Sequence, residues 1–227
     1  MMRLLSIETS TQVCSVAIHQ QGELVAFREM REPRSAASQL APMIDAIMIE
    51  SNTQPTMLGA VVVAAGPGSY TGLRIGVATA KGICFALNLP FIAVNTLDLV
   101  AQQGKELISN KASLLCPMLD ARRMEVYCKL VDFNLDEVEP TQAKIIEATS
   151  FNEYLEKNPI YFIGEGATKC REIIAHTNAN FLDDVIPNAA HLGKMGYSKW
   201  MQQDFEDTAT FEPFYLKDFL IRKPTAS

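Results

Sequence analysis

Short stretches of this 227-residue chain carry residue types at spacings that chemistry can use. Glu8-Thr9-Ser10-Thr11-Gln12 sets a carboxylate beside a run of hydroxyls. Such a turn either holds a metal-bound phosphate or spends its side chains on hydrogen bonds to its own backbone. Gly66-Pro67-Gly68-Ser69-Tyr70 breaks an apolar run and leads to Thr71, a good N-cap for a helix opening at Gly72. A strand, a glycine turn and a helix N-terminus together make a place for an anion. In Asp120-Ala121-Arg122-Arg123, two guanidinium forks can clamp a phosphate or pair with a partner carboxylate; exposed hairpin charges are the plain alternative. Gly164-Glu165-Gly166-Ala167, after a short apolar run, resembles half of a nucleotide site, although a tight turn needs the same two glycines.

Complete catalytic templates are missing. His19, His176 and His191 follow no metal-ligand spacing. Ser69 does not sit in Gly-x-Ser-x-Gly, because Pro67 takes the first glycine position, and there is no Gly-x-x-x-x-Gly-Lys-Ser/Thr loop. The five cysteines form no Cys-x-x-Cys pair and read as buried, reduced thiols of a cytoplasmic protein. At 48% hydrophobic and 20% charged the chain is globular, and a net charge of −6 excludes a general nucleic-acid binder. No apolar run reaches the length of a membrane span, and Glu8 comes too early for a signal peptide.

The elements that must position these residues come in a regular order. Leu4 to Glu8, Val13 to His19 and Glu23 to Glu29 read as three strands, with Gln20-Gln21-Gly22 turning the second into the third. Arg28, Arg31 and Arg34 alternate with Glu29 and Glu32, as on a solvated edge. Ser35 can cap a helix to about Glu50, which Pro42 either kinks or begins. Ala60 to Ala65 suits a strand covered on both faces, Pro90 to Val94 another, and Asn95 or Thr96 caps a helix ending near Gly104. Three strands, helix, strand, helix, strand, helix is the order of a ribonuclease-H-like half.

The helix from Gly72 to Leu87 is apolar almost all round, with Arg74 and Lys81 its only charges. Such a helix must be covered on nearly every side. Gly72, Gly76 and Ala80 form a shallow ridge that lets another helix approach closely. The expectation is that this helix packs on a second protein.

The second half restarts with strands at Leu114 to Leu119 and Met124 to Asp132, then a polar stretch from Phe133 to Thr149 expected to be loop and edge strand. Ser150 with Glu153 suggests a capping box. A strand at Pro159 to Ile163, a helix from Gly164 to about Thr177 and a helix over Asn188 to Gln202 complete it. Phe211-Glu212-Pro213-Phe214-Tyr215-Leu216 should dock on the body. The expected division is 1–105, 106–212 and a tail over 213–227, with no legible internal repeat.

Ile7-Glu8-Thr9-Ser10, the run from Gly66 to Gly76, Leu119-Asp120-Ala121-Arg122-Arg123-Met124-Glu125-Val126-Tyr127 and the closing Glu212-Pro213-Phe214-Tyr215-Leu216 together resemble the bacterial tRNA threonylcarbamoyladenosine biosynthesis proteins of the TsaB (YeaZ) type, the glycoprotease-like family. The resemblance implies two ribonuclease-H-like subdomains of the actin, sugar-kinase and chaperone-ATPase type, with mixed sheets flanked by helices. It implies an accessory subunit of TsaD, the related enzyme that transfers a threonylcarbamoyl group to tRNA. TsaE joins as a further member, tRNA is met indirectly, and a homodimer forms when the subunit is alone. The catalytic paralogue holds its metal with a His-x-x-x-His pair; the corresponding Ser35-Ala36-Ala37-Ser38-Gln39 has no histidine, so no metal and no catalytic residue are expected here. The family meets its partner through the first two long helices. That places Gln39, Pro42, Met43, Ala46, Gly72, Leu73, Ile75, Gly76, Thr79, Ala80 and Ile83 at the interface. Glu8, Thr9, Ser10, Gly66, Gly68, Gly164 and Gly166 would be a vestigial phosphate or nucleotide site, and Arg122 and Arg123 an anion or partner contact. No cofactor is required, with room left for ATP or ADP at the partner interface. The alternatives are an ATP-binding phosphotransferase or ATPase of the same fold and, from the older family name alone, a peptidase.

Overall fold

The computed structural model describes residues 2–32, 36–182 and 184–216. β1 (Arg3–Glu8), β2 (Cys14–Gln20) and β3 (Glu23–Met30) form an antiparallel meander turned at Gln21 and Gly22, both at positive φ. β4 (Leu58–Ala64) and β5 (Phe91–Val94) add in parallel on the other side of β1, giving the order β3-β2-β1-β4-β5. Val61, Val62 and Val63 are fully buried because β4 is covered on both faces, which is why its run does not alternate.

β6 (Leu114–Asp120), β7 (Glu125–Val131), β8 (Glu137–Ile145), β9 (Ile160–Ile163) and β10 (Ala179–Leu182) make a second sheet ordered β10-β9-β6-β7-β8. From its other edge this is the first sheet's arrangement: third, second and first strands, then fourth and fifth. The chain is one ribonuclease-H-like pattern used twice, although the sequence shows no repeat.

The helices are α1 (Ala36–Glu50), α2 (Tyr70–Leu87), α3 (Thr96–Leu107), α4 (Asn152–Leu155), α5 (Glu165–Thr168) and α6 (Ala189–Met201). α1 and α2 cover one face of the first sheet, where Leu40, Ile44, Ile47, Val77 and Cys84 pack with Leu5, Ile7, Val61 and Val63. α6 returns from the second half to cover the opposite face, with Leu192, Met195 and Trp200 against Leu4, Ala60 and Val62. α3 sends Leu97, Val100 and Ala101 to the second sheet and Leu99 to the first. β1–β5 thus form one set and β6–β10 the other, while α3 and α6 bind the two sets together.

Several local expectations are corrected. α2 begins at Tyr70, capped by Ser69, whose Oγ accepts from the Gly72 N–H at 3.3 Å; Thr71 lies inside the helix. Pro42 lies within α1 beyond its first turn, and Ser35 falls outside the described residues. Asn95 caps α3, which runs past Gly104 to Leu107. Gly104 is there for closeness, since a Cβ on it would lie 2.5 Å from Ile163 Cδ1. The Ser150 capping box does not form: its Oγ accepts from the Glu147 N–H at 3.0 Å, and Phe151 at φ 66° heads α4. The helix expected to about Thr177 is the single turn α5, and β10 comes after it. Of the expected tail only residues up to 216 are described; there the Phe214 N–H donates to Ala65 O at 2.8 Å and Tyr215 meets Tyr70 at 4.9 Å, while the preceding Glu206 N–H donates to Phe91 O at 2.8 Å.

Candidate functional site

α1 and α2 lie side by side and leave an apolar surface uncovered among the described residues. Phe85 is 87% exposed and Ile49 81% exposed, with Leu87, Ala78 and Ala86 also open. Between the C-terminal ends of the two helices runs a groove of about 660 Å³ floored by Leu5, Ile44 and Leu58 and walled by Met48, Ile83 and Leu87. Ile49 stands at the rim of this groove, while Phe85 projects from another side of α2; scattered exposed hydrophobes are ordinary, whereas an apolar groove rimmed by bare aliphatic side chains seeks cover. Gln39, Ala46, Ile75, Thr79 and Ile83 are half-buried at its edge, and Pro42 is exposed.

The glycine ridge points the other way. Gly72, Leu73, Gly76 and Ala80 are buried against the chain's own first sheet and turn, and Met43 is buried in the core beneath α1. A Cβ on Gly72 would lie 1.9 Å from Thr9 O, and one on Gly76 would lie 2.3 Å from Thr9 Oγ1. The small residues admit the β1–β2 turn rather than a second protein. Phe85 and Ile49, both exposed, were not singled out from the sequence, and Arg74 was the available signal: an exposed cation, held over the Tyr70 ring at 4.6 Å, marks the outward side of α2. Lys81 turns inward at its tip, its Nζ donating to Phe211 O at 3.0 Å.

The turn residues converge, but on one another. Glu8, Thr9 and Ser10 are buried, with Thr9 Oγ1 donating to Gly72 O at 2.8 Å and the Ser69 N–H donating to Ser10 O at 2.6 Å. A Cβ on Gly68 would lie 2.4 Å from Ser10 O, and one on Gly66 2.7 Å from Phe214 O. The backbone that a phosphate would approach is already in contact with the chain's own atoms. The Glu8 carboxyl has one oxygen accepting from the Ser10 N–H at 2.5 Å and the other without a partner. Burial pushes its pKa up to about 8, with repulsion from Glu165 adding.

In the second half, Asp120 stands at the end of β6 as Glu8 stands at the end of β1. Lys169 Nζ reaches Asp120 Oδ1 at 2.5 Å and the carbonyls of Arg123 and Glu125 at 2.7 and 2.6 Å. That tripod holds Arg122 and Arg123, both exposed, at φ 71° and 52°. Gly164 and Gly166 serve close packing: Cβ atoms there would lie 2.6 Å from Met118 O and 2.8 Å from the Leu119 backbone. Among the described residues no three His, Cys, Asp or Glu side chains come together as a metal set, and no helix is long and apolar enough to cross a membrane.

A family model described as TsaD, tRNA N6-adenosine threonylcarbamoyltransferase, matches residues 33–222. A Bacillus subtilis protein named tRNA threonylcarbamoyladenosine biosynthesis protein TsaB is 30% identical over 177 residues, covering 76% of this chain and 75% of that one. The chain belongs to the TsaB family. A Haemophilus influenzae TsaB is 28% identical over 95% of this chain and 93% of its own length. YeaZ from Pseudomonas aeruginosa superimposes with a TM-score of 0.81 at 25% identity, covering 95% of this chain and all of that one. The TsaB-like motifs lie where the turn, the loop before α2 and the β6–β7 hairpin meet the two sheets, so much of their identity is spent on holding this framework.

Proposed function

We propose that this TsaB-family chain supports threonylcarbamoyladenosine formation on tRNA as a non-catalytic subunit, its α1–α2 face covered by a TsaD-type transferase. The observation that carries the reading is the uncovered apolar surface of the two helices: a 660 Å³ groove lined by Ile49, Ile83 and Leu87, with Phe85 bare elsewhere on α2. Burying one such side chain contributes about 2 kcal/mol, enough for a few of them to hold a partner. Without the transferase, the same face pairs with a second copy of the chain. TsaE joins the assembly, a nucleotide has its place at the partner interface, tRNA is bound through the partner, and the complex works in the cytoplasm. The family's named role and the absence of a complete catalytic template in the sequence support this reading over a kinase-like or peptidase activity.

The test is co-purification of the chain with the transferase, followed by tRNA modification with and without the chain. Stoichiometric capture with modification that requires the chain is expected. Modification at full rate by the transferase alone would overturn the reading. Gly76→Arg is not a clean probe of this interface, because residue 76 faces Thr9 in the chain's own interior.

A further inference from the structure

The turn Glu8–Ser10 grips the first turn of α2 from below. Thr9 Oγ1 donates to Gly72 O at 2.8 Å, and Ser10 O accepts at 2.6 Å from the N–H of Ser69, the residue that caps the helix. Gly68, Gly72 and Gly76 have no room for a Cβ against Thr9 and Ser10, so the start of the helix cannot shift without the turn. Behind the grip lies Glu8, with 0% exposure, a single amide donor on one oxygen and no partner on the other. A carboxyl in that position is at home only when neutral. We propose that the Glu8 proton latches this joint: neutral Glu8 keeps the turn clamped on α2, and losing the proton to solvent opens the clamp, freeing the N-terminal end of the helix that carries the outward apolar face.

Burial and the neighbouring acids discourage charge on Glu8, against one opposing neighbour. From β2 comes the Cys14 thiol, itself pushed up to about 11 by burial and then by Glu8. From α5 comes Glu165, whose own pKa is raised by burial and then by Asp120 on β6, against a lowering by Lys169. Ser10 is the group that opposes, through its hydrogen bonds. Glu8 sits at about 8 when clamped and at the ordinary 4.5 when the turn is open. Opening therefore gains about tenfold per pH unit between roughly pH 5 and 8 and levels off above, where the clamped form is itself ionised.

Hydrogen exchange of the α2 amides in the full chain tests this, with rates corrected for intrinsic pH dependence. Protection over the first two turns of α2 should fall about tenfold per unit from pH 5.5 to 7.5 and then flatten. Glu8→Gln should remove the slope, and Glu165→Gln should bring the plateau to lower pH by removing the repulsion on Glu8. A flat profile in the unaltered chain, or the same slope in Glu8→Gln, would overturn the proposal. If Glu8→Gln does not fold, an unmoved plateau in Glu165→Gln overturns it alone.

Discussion

Thr9 fills the space that the missing side chain of Gly76 leaves on α2: a Cβ there would fall 2.3 Å from its Oγ1. Gly72, one turn earlier, meets the Thr9 carbonyl more closely still, at 1.9 Å. An oxygen at the end of a side chain can rotate away and a backbone carbonyl cannot. Gly72→Ala is therefore expected to cost about 3 kcal/mol or more in urea unfolding and Gly76→Ala about 1–2, despite the better helix propensity of alanine. Thr9→Ala should rescue part of the second loss and little of the first, and equal rescue of both would contradict the geometry.

Phe85 should separate binding from folding. At 87% exposed it contributes almost nothing to the fold, so Phe85→Asp should leave the unfolding midpoint within about 0.5 kcal/mol of the unaltered chain. The same change should weaken capture of the transferase at least about tenfold, and self-association likewise. Calorimetric titration beside thermal unfolding gives both numbers; unchanged affinity would place the partner elsewhere.

The five thiols are free and buried, with Cys14, Cys84 and Cys170 pushed up to about 11 by burial. Thiolate is the reactive form, so at pH 8 the native protein should react with a colorimetric disulfide reagent far more slowly than the unfolded chain, which should release five equivalents. Rapid reaction of the native protein would show that its cores open readily.

Lys129 is 8% exposed and ties α3 to the second sheet, with Nζ 2.9 Å from Asp98 and 3.4 Å from Glu137. Asp98→Ala should cost about 1–3 kcal/mol, because it leaves a nearly buried cation with one partly exposed partner. The exposed pair Arg28–Glu50 spans 2.8 Å, and Arg28→Ala should cost less than about 0.5 kcal/mol by the same chemical denaturation.

Much of the framework was written locally in the chain. The meander, the valine run of β4, the Asn95 and Asn188 caps and the glycine break before α2 each depend on residues that touch their sequence neighbours. The fold class followed from their order, and the motifs around Glu8, Gly66 and Asp120 pointed to the family. Tertiary structure decided which small residues of α2 are buried against the β1–β2 turn. A helix apolar almost all round carries little beyond Arg74 to orient it, and its seat was chosen by Thr9, more than sixty residues away along the chain. The repeated strand order was hidden for a related reason: a sheet's topology constrains which edges pair, and many side chains satisfy the same pairing. The exchange of α3 and α6 between the halves likewise rests on contacts such as His19 Nε2 with Ala190 O, between groups 171 positions apart. No local pattern encodes a contact of that range.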